Sequence, residues 1–551
     1  MSLSSSSSLI PTPICVPDDT SALIQFRNAM SIHEPNVDFC DGTAHPKTDS
    51  WNETTNCCTW EGVTCDNATG QVIGLGLGCS MLAGSLAPDT SLSGLRGLKR
   101  LNLSYNDFKH SSIPLGFSRL VSLTHLDLSG SSFSGFVPPV VSLPSKLISL
   151  DLSTNDLTFD SHSFGMLTGN LSELQNLFLD SVDIFDVEPT SLVNLSLSLK
   201  HLSLPNCDLQ GEFPSEIFQL RNLEYLDLSF NYLTGHLPKF NWSSPLRLSV
   251  LPYLQVLILH SNGFYGGLHN SKTISSFLSL QVIDLSQNDF IDPLPTKFFR
   301  NLRVMKHVIY HPTMNCGGAD VMCVPRCENC NPDEYKTIVK LNMKRLEMEL
   351  DLKSLSIGFT LIDFSNNQFD GRSPEVLAEL SALLVLNLSH NSLTGPLPPS
   401  LGSIAALESL DLSWNKLGGR IPSELTKQTF LEVLDLSRNN FIGPIPVGNQ
   451  FNTFDNDSYA GNLALCGLPL SNKCGNDEEP SPPTLKLGED SAIDFTWKLV
   501  MMGYMCGVVL GLSMGYVVLT IGRPRWLARM VERDWQRNFA RRIHMIGMKT
   551  N

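Results

Sequence analysis

Residues 383–446 carry one 24-residue unit three times in succession. In the first copy leucines stand at Leu383, Leu386 and Leu388, an asparagine at Asn391, an apolar residue at Leu393, a glycine at Gly395 and a proline at Pro398. The second copy starts at Leu407 and the third at Leu431, and they close on Pro422 and Pro446. Such a period decides the class of fold. The alternation at Leu386 and Leu388 makes a short strand with one face inward. The asparagine can satisfy backbone groups where the chain turns. One unit cannot bury its own apolar side, so units must stack into a solenoid whose core grows along one axis.

The pattern is that of a leucine-rich repeat, whose period lies between 20 and 29 residues. Clear units begin at Leu98, Leu123, Leu147, Leu174, Leu199, Leu223, Leu254 and Leu280, and they resume at Phe359, Leu383, Leu407 and Leu431. With a ragged unit at Val72 this predicts an α/β solenoid of about 13 coils, a right-handed superhelix with disulfide caps and one C-terminal transmembrane helix. Asparagines at the ninth position include Asn106, Asn155, Asn231, Asn262, Asn288, Asn367, Asn391, Asn415 and Asn439, while Ser131 and Cys207 replace them in two coils. The step of 31 residues from Leu223 to Leu254 implies a loop insertion. The 79 residues from Leu280 to Phe359 imply a larger one at 304–358, on what is often the binding face.

The 14 cysteines sit at ends and edges. Cys15, Cys40, Cys57, Cys58, Cys65 and Cys79 precede the clear repeats, Cys316, Cys323, Cys327 and Cys330 lie in the insertion, and Cys466 and Cys474 follow the last repeat. Cys327 and Cys330 have metal-ligand spacing. Paired cysteines flanking a solenoid nevertheless favour disulfides in an oxidising compartment over zinc. Cys58 is expected to pair with Cys65, and Cys466 with Cys474 in a short loop, with Cys57 reaching towards Cys15; sequence does not fix the connectivity. Cys207, alone at a ladder position, reads as a buried thiol without chemistry. Asp18, Asp19 and Thr20 offer N-cap oxygens to a helix carrying Ala22, Leu23, Phe26 and Met30 at helical spacing.

The expected organisation is a signal-peptide-like segment 1–14, an N-terminal cysteine cap 15–71, repeats 72–303, the insertion 304–358, repeats 359–455, a C-terminal cap 456–476, an acidic linker 477–498, a membrane span 499–521 and a short basic tail 522–551. The span has 23 residues without a charge, enough to cross a bilayer. After Gly522 come eight Lys/Arg against two acids, which places the tail in the cytosol and the solenoid outside, as in a single-pass plasma-membrane protein. Within the span Gly503, Gly507, Gly511 and Gly515 form one stripe that lets another helix approach. The net charge of −15 argues against a nucleic-acid partner.

No catalytic constellation, cofactor motif or metal centre emerges. Gly74, Gly76 and Gly78 resemble a phosphate loop only loosely and fall in the first strand. Glycosylation sequons stand at Asn52, Asn67, Asn102, Asn170, Asn194, Asn241, Asn387 and Asn456, with Asn102 and Asn387 in mid-strand on the inner face. Most coils repeat Asp-Leu-Ser on that face, as at Asp227, Asp411 and Asp435. The coils at 174–260 depart from it, which makes Phe178, Asp180, Ser203, Tyr225, Phe230, Ile258 and His260 the candidate ligand contacts.

The cap run from Cys57 through Trp60 and Gly62 to Cys65, the Leu-x-Gly-x-Ile-Pro coils and the close at Gly461, Asn462 and Cys466 resemble plant leucine-rich-repeat receptor-like proteins, the class that contains fungal-resistance receptors of tomato. The resemblance implies a non-enzymatic cell-surface receptor for pathogen-derived or peptide ligands, acting in defence. It implies a receptor-like kinase borrowed through the transmembrane helix and a co-receptor kinase recruited by the repeats at 383–446. A developmental peptide receptor has the same architecture. A cell-wall enzyme inhibitor of similar coils is the third reading, disfavoured by the span.

Overall fold

The structure, a computed structural model, describes residues 13–33, 40, 44–237, 251–268, 277–306, 338–343, 346–351 and 358–474. Several expectations fall outside them: the four insertion cysteines, Asn241, the linker, the span with its glycine stripe, and the tail. Among the described residues no helix is long and apolar enough to cross a membrane.

Each unit contributes a three-residue strand centred on a core leucine or isoleucine. These strands stack into one sheet of fourteen. The first, Val63–Cys65, pairs antiparallel with Val72–Gly76. From there the pairings are parallel and in register, so that equivalent positions in successive coils face one another, as Val385 faces Ser409 and Ser409 faces Val433. Central residues such as Leu226, Leu386 and Leu410 are fully buried, each contributing about 2 kcal/mol by removal from water. Beyond the ladder position the chain adds a second, shorter parallel strand. Two four-stranded sheets result, one from Gln210–Glu212 to Asp289–Ile291 and one from Thr394–Gly395 to Ala464–Cys466. The repeated glycines turn the chain here: Gly395, Gly419 and Gly443 hold φ of 78°, 77° and 79°, where a side chain would be strained.

Both interruptions leave the inner sheet continuous. Tyr225–Asp227 pairs directly with Val256–Ile258 across the long step, and Val282–Asp284 pairs directly with Leu361–Asp363 across the insertion. The insertion contributes its own antiparallel hairpin, Ile338–Met343 with Leu346–Asp351. Bulky side chains fill the core around the join, where Phe264, Phe290 and Phe369 stack with centroids 6.3 and 6.0 Å apart.

Helix α1, Pro17–Ala29, closes the N-terminal end, burying Leu23 and Phe26. Its N-cap is Val16, not the Asp18–Thr20 group, because Pro17 is already set for the first helical position. Asp19 instead reaches out of the helix and accepts the Val72 N–H at 2.8 Å, which ties α1 to the first parallel strand. Trp51 and Trp60 stack 5.3 Å apart beneath it. The disulfides are Cys15–Cys57, Cys58–Cys65, Cys40–Cys79 and Cys466–Cys474.

The asparagine ladder does the polar work of the core. Asn231 donates from Nδ2 to the carbonyls of Leu204, Leu228 and Ser229, and its Oδ1 accepts the N–H groups of Cys207 and Leu209. Ser131 answers only part of this demand, its hydroxyl donating to Leu103 and Ser129 carbonyls. Two consecutive coils lack the asparagine. Val182 occupies the position in one, and its backbone N–H folds back onto the Leu179 carbonyl. Cys207 occupies it in the next, its thiol donating to that same carbonyl at 3.0 Å.

Replacing Asn231 with alanine removes five hydrogen bonds in the core and should cost on the order of 3–5 kcal/mol. Asn231→Ser should lose appreciably less, since Ser131 shows a hydroxyl serving two of the carbonyls. Denaturant unfolding of both variants checks the order, and equal losses would remove the ladder's hydrogen bonds as the cause.

Candidate functional site: the inner face of the sheet

The residues flanking each central leucine point away from the core and form two columns running along the sheet. The column on the C-terminal side of each strand is largely aspartate. Asp227 Oδ1 accepts the backbone N–H and the hydroxyl of Ser229 at 2.9 and 2.7 Å, and Asp127 does the same with Ser129. This bond fixes the turn after each strand that carries the aspartate, so the repeated Asp-Leu-Ser is structural. Parallel register brings Asp127 beside Asp151 and Asp284 beside Asp363. Burial is the main cause of the raised carboxyl pKa of Asp127, Asp151, Asp227 and Asp363, and Asp151 is pushed further by neighbouring Asp127. Asp363 is pushed up to about 7, by burial first and then by Asp284.

In the coils at 174–260 the aspartate column is replaced at Phe178, Ser203 and Ile258. Phe178 meets His201 diagonally in the next strand, and His201 directly faces Tyr225 in the one after, with ring centroids 6.4 Å apart at each step. The Tyr225 hydroxyl donates to Asp227 at 3.2 Å. His201 meets the Asn176 amide oxygen at 2.7 Å, and burial lowers its pKa.

Facing outward is not the same as being accessible. Tyr225 is only 2 % exposed and Ile258 1 %, and Phe178 and Ser203 are buried as well. Tyr225 and Ile258 join Val256, Val282, Leu361 and Val385 in a second apolar cluster, separate from the solenoid core. The columns bring side chains of adjacent strands into contact about 4.8 Å apart, so large residues bury one another. Asp180 is half-buried, its N–H bonded to the Ser153 hydroxyl. Of the candidate contacts, Phe230 is 49 % exposed, and His260, half-buried, meets it edge-on with centroids 4.5 Å apart.

Phe230 belongs to a further column that the sequence pattern did not single out. The residue before each ladder position takes left-handed backbone, with φ of 52° at Phe230, His390 and Arg438 and 53° at Trp414. It is lifted to the rim of the inner face. His390 stacks on Trp414 at 5.1 Å, and the Arg438 guanidinium lies 4.3 Å over the same indole, which stays 48 % exposed. The available signal was bulk in a turn position that favours Gly, Asn or Asp. On the flank of these coils the Gly-x-x-Pro segments line a groove of about 750 Å³ that includes Arg372, Pro398, Arg420 and Pro446.

The exposed sequons Asn52, Asn67, Asn170, Asn194 and Asn456 lie off the inner sheet, whereas Asn102 and Asn387 are half-buried within it. Among the described residues the side chains that could group around a metal are Cys15, Cys57, Cys58 and Cys65, whose sulfurs fall within 4.8 Å of one another as two disulfides.

Comparison with known proteins agrees with this architecture. A leucine-rich-repeat N-terminal domain matches residues 16–66, and leucine-rich repeats match 122–143, 198–220, 222–242, 358–417 and 430–451. The chain is similar to receptor-like protein 6 of Arabidopsis thaliana, 39% identical over 251 residues, covering 43% of this chain and 25% of that one. It is also similar to receptor-like protein 35 of the same plant, 38% identical over 452 residues, covering 80% of this chain and 45% of that one. The chain thus spans less than half the length of either relative. A plant ice-binding protein of known crystal structure aligns over 84% of this chain and 99% of its own at 22% identity, with a TM-score of 0.39.

The raised pKa of Asp363 fixes a pH dependence. Between about pH 4, where this carboxyl titrates in the unfolded chain, and about 7, the folded state holds a proton that the unfolded state has released. Stability attached to this group is therefore greatest at the acid end of that window and declines as pH rises through it. Thermal melts at a series of pH values should show the decline, and Asp363→Asn should flatten it; an unchanged slope in the variant would discard the assignment.

Proposed function

The chain belongs to the leucine-rich-repeat proteins with plant receptor-like proteins as its relatives, and from this we propose that it is a cell-surface receptor subunit that binds an extracellular ligand and signals through partner kinases in plant defence. The observation that carries the reading is the inner sheet, continuous through two insertions, whose face changes in the coils at 174–260, with Phe178, Ser203 and Ile258 in the aspartate column and His201 and Tyr225 beside it. Breaking the run of carboxylates needs only small or neutral side chains, whereas a ligand-reading surface uses large aromatic ones such as Phe178, Tyr225 and Phe230.

In this reading the first contacts are the accessible ones. Phe230 and His260 offer an exposed aromatic edge and a polar ring at one point on the rim. Phe178, Asp180, Ser203, Tyr225 and Ile258 shape the surface beneath them. A pathogen-derived or peptide ligand suits such a surface, because aromatic and polar groups alternate along it at strand spacing. The reading is non-enzymatic and needs no cofactor. Signalling passes to a receptor-like kinase through the uncharged apolar segment at 499–521, with Gly503, Gly507, Gly511 and Gly515 as the contact stripe. A co-receptor kinase is recruited by the coils at 383–446, where Trp414, stacked between His390 and Arg438, presents the kind of residue that dominates protein interfaces. The plasma membrane, with the N-terminus outside, is the location this requires.

Two measurements test the reading. Alanine at Phe230 and His260 together should weaken ligand-triggered defence output at least tenfold, the loss expected of about 1.4 kcal/mol at a binding hot spot; a full response would move recognition elsewhere. Separately, Gly507→Leu with Gly511→Leu should lower recovery of a co-purifying receptor kinase, and equal recovery would discard the glycine stripe.

A further inference from the structure

N-linked sugar is attached to Nδ2 of asparagine in Asn-x-Ser/Thr, and the bulk of the glycan must then point into solvent. Five sequon asparagines meet that demand. Asn52 and Asn67 are exposed in the N-terminal cap, Asn170 ends helix α2, Ser161–Asn170, Asn194 ends the 3₁₀ turn Pro189–Asn194, and Asn456 opens the turn Asn456–Ser458. Asn170 is exposed even though its Nδ2 donates to the Ser142 hydroxyl at 3.1 Å.

Asn102 and Asn387 differ in place and in partner: exposed Asn52 also accepts the N–H and hydroxyl of its sequon Thr54, but these two lie half-buried in the inner sheet with Nδ2 held by a neighbouring aspartate. Asn387 Oδ1 accepts the N–H and hydroxyl of Ser389 at 3.1 and 2.8 Å, the same bonds that Asp227 makes to Ser229. Its Nδ2 donates to Asp363 Oδ2 at 2.9 Å. Asn102 repeats the arrangement, accepting from Ser104 at 2.9 and 2.8 Å and donating to Asp127 at 2.9 Å. The acceptor nitrogen and the sequon serine are both engaged in the sheet. Space is short as well: even a methyl carbon on Gly78 would stand 2.8 Å from Asn102 Oδ1 and from the Ser104 hydroxyl.

Their places in the column explain why an amide is needed. Register sets Asn387 between the pair Asp284 and Asp363 on one side and the pair Asp411 and Asp435 on the other. Asn102 closes one end of the pair Asp127 and Asp151. An aspartate at either position would extend an acid pair, and at 387 it would line five carboxylates in neighbouring strands. The amide keeps the turn-fixing bond, adds a donor to the adjacent carboxylate and interrupts the run of charge.

We propose that Asn102 and Asn387 are unglycosylated, charge-breaking rungs of the inner-face column, and that among the described sequons sugars sit only on those of the caps and outer turns, leaving the inner sheet bare for a ligand. The glycan part rests on the extracellular location argued above; the rung part does not.

The experiment is site-resolved glycopeptide mapping of the full chain expressed in plant cells and extracted in detergent, together with melts of Asn387→Asp. Sugar at several of Asn52, Asn67, Asn170, Asn194 and Asn456 with bare Asn102 and Asn387 supports the proposal. Sugar at Asn102 or Asn387 in the folded protein overturns it. Sugar at none of the sites overturns the extracellular reading and with it the glycan part, while the melts still decide the rung. Asn387→Asp should lower the melting temperature more at about pH 7.5 than at about pH 5, where carboxylates of raised pKa hold their protons. A variant as stable as the parent at both values overturns the rung.

Discussion

A coil that turns once per unit brings backbone carbonyls to the inside of the solenoid, where water does not reach them. One carboxamide per coil answers this. Its Nδ2 serves a carbonyl of the preceding coil and two of its own, while Oδ1 takes N–H groups from the coil before, as Asn155 does with the Leu128, Leu152 and Ser153 carbonyls and with Ser131 and Phe133. The residue therefore does two things at once. It closes its own turn, and it fixes the distance and register of its neighbour. Leucines alone would stack coils without choosing a register. These amides reinforce the in-register sheet, and the coils that lack one, at Ser131, Val182 and Cys207, keep the same register through the backbone pairing of their strands.

Register then makes the inner face a set of columns, and columns concentrate whatever the repeat puts in them. Apolar residues in a column bury one another, which is how Val256, Val282, Leu361 and Val385 become inaccessible without belonging to the core. Carboxylates in a column are buried, which is why Asp127 and Asp151 hold their protons more tightly than isolated acids, and Asp151 is raised further by the charge of Asp127. A motif that is harmless once per coil becomes an electrostatic load when repeated at strand spacing. Interruptions by Asn102, Phe178, Ser203, Ile258 and Asn387 relieve it.

This also separates what could be read from the sequence from what could not. The unit boundaries, the ladder asparagines, the glycine turns and the pairing of Cys58 with Cys65 are local properties, and period and spacing carry them. The start of α1 was misplaced because Asp19 serves a strand distant in sequence rather than its own helix. Cys40 pairing with Cys79 has no spacing signal, since the cap brings the two together through its fold. Outward direction was legible at Tyr225 and Ile258, but exposure was not, because it depends on residues one coil away in either direction. The rim column of Phe230, His390 and Trp414 is likewise invisible to a leucine count, since it depends on left-handed backbone at a position that tolerates many residues.

The gap in the ladder coincides with the changed inner face. At Val182 and Cys207 two successive coils replace a carboxamide with a group that donates weakly or not at all, and the backbone compensates by tightening Val182 N–H onto the Leu179 carbonyl. The carbonyl that both coils share then carries the connection between them. These same coils depart from the aspartate column at Phe178 and Ser203, which face each other in adjacent strands. Weaker internal specification and a changed inner face coincide in one place. The coils from Asn367 to Asn439, by contrast, have every amide in place, so more internal hydrogen bonds hold their turns.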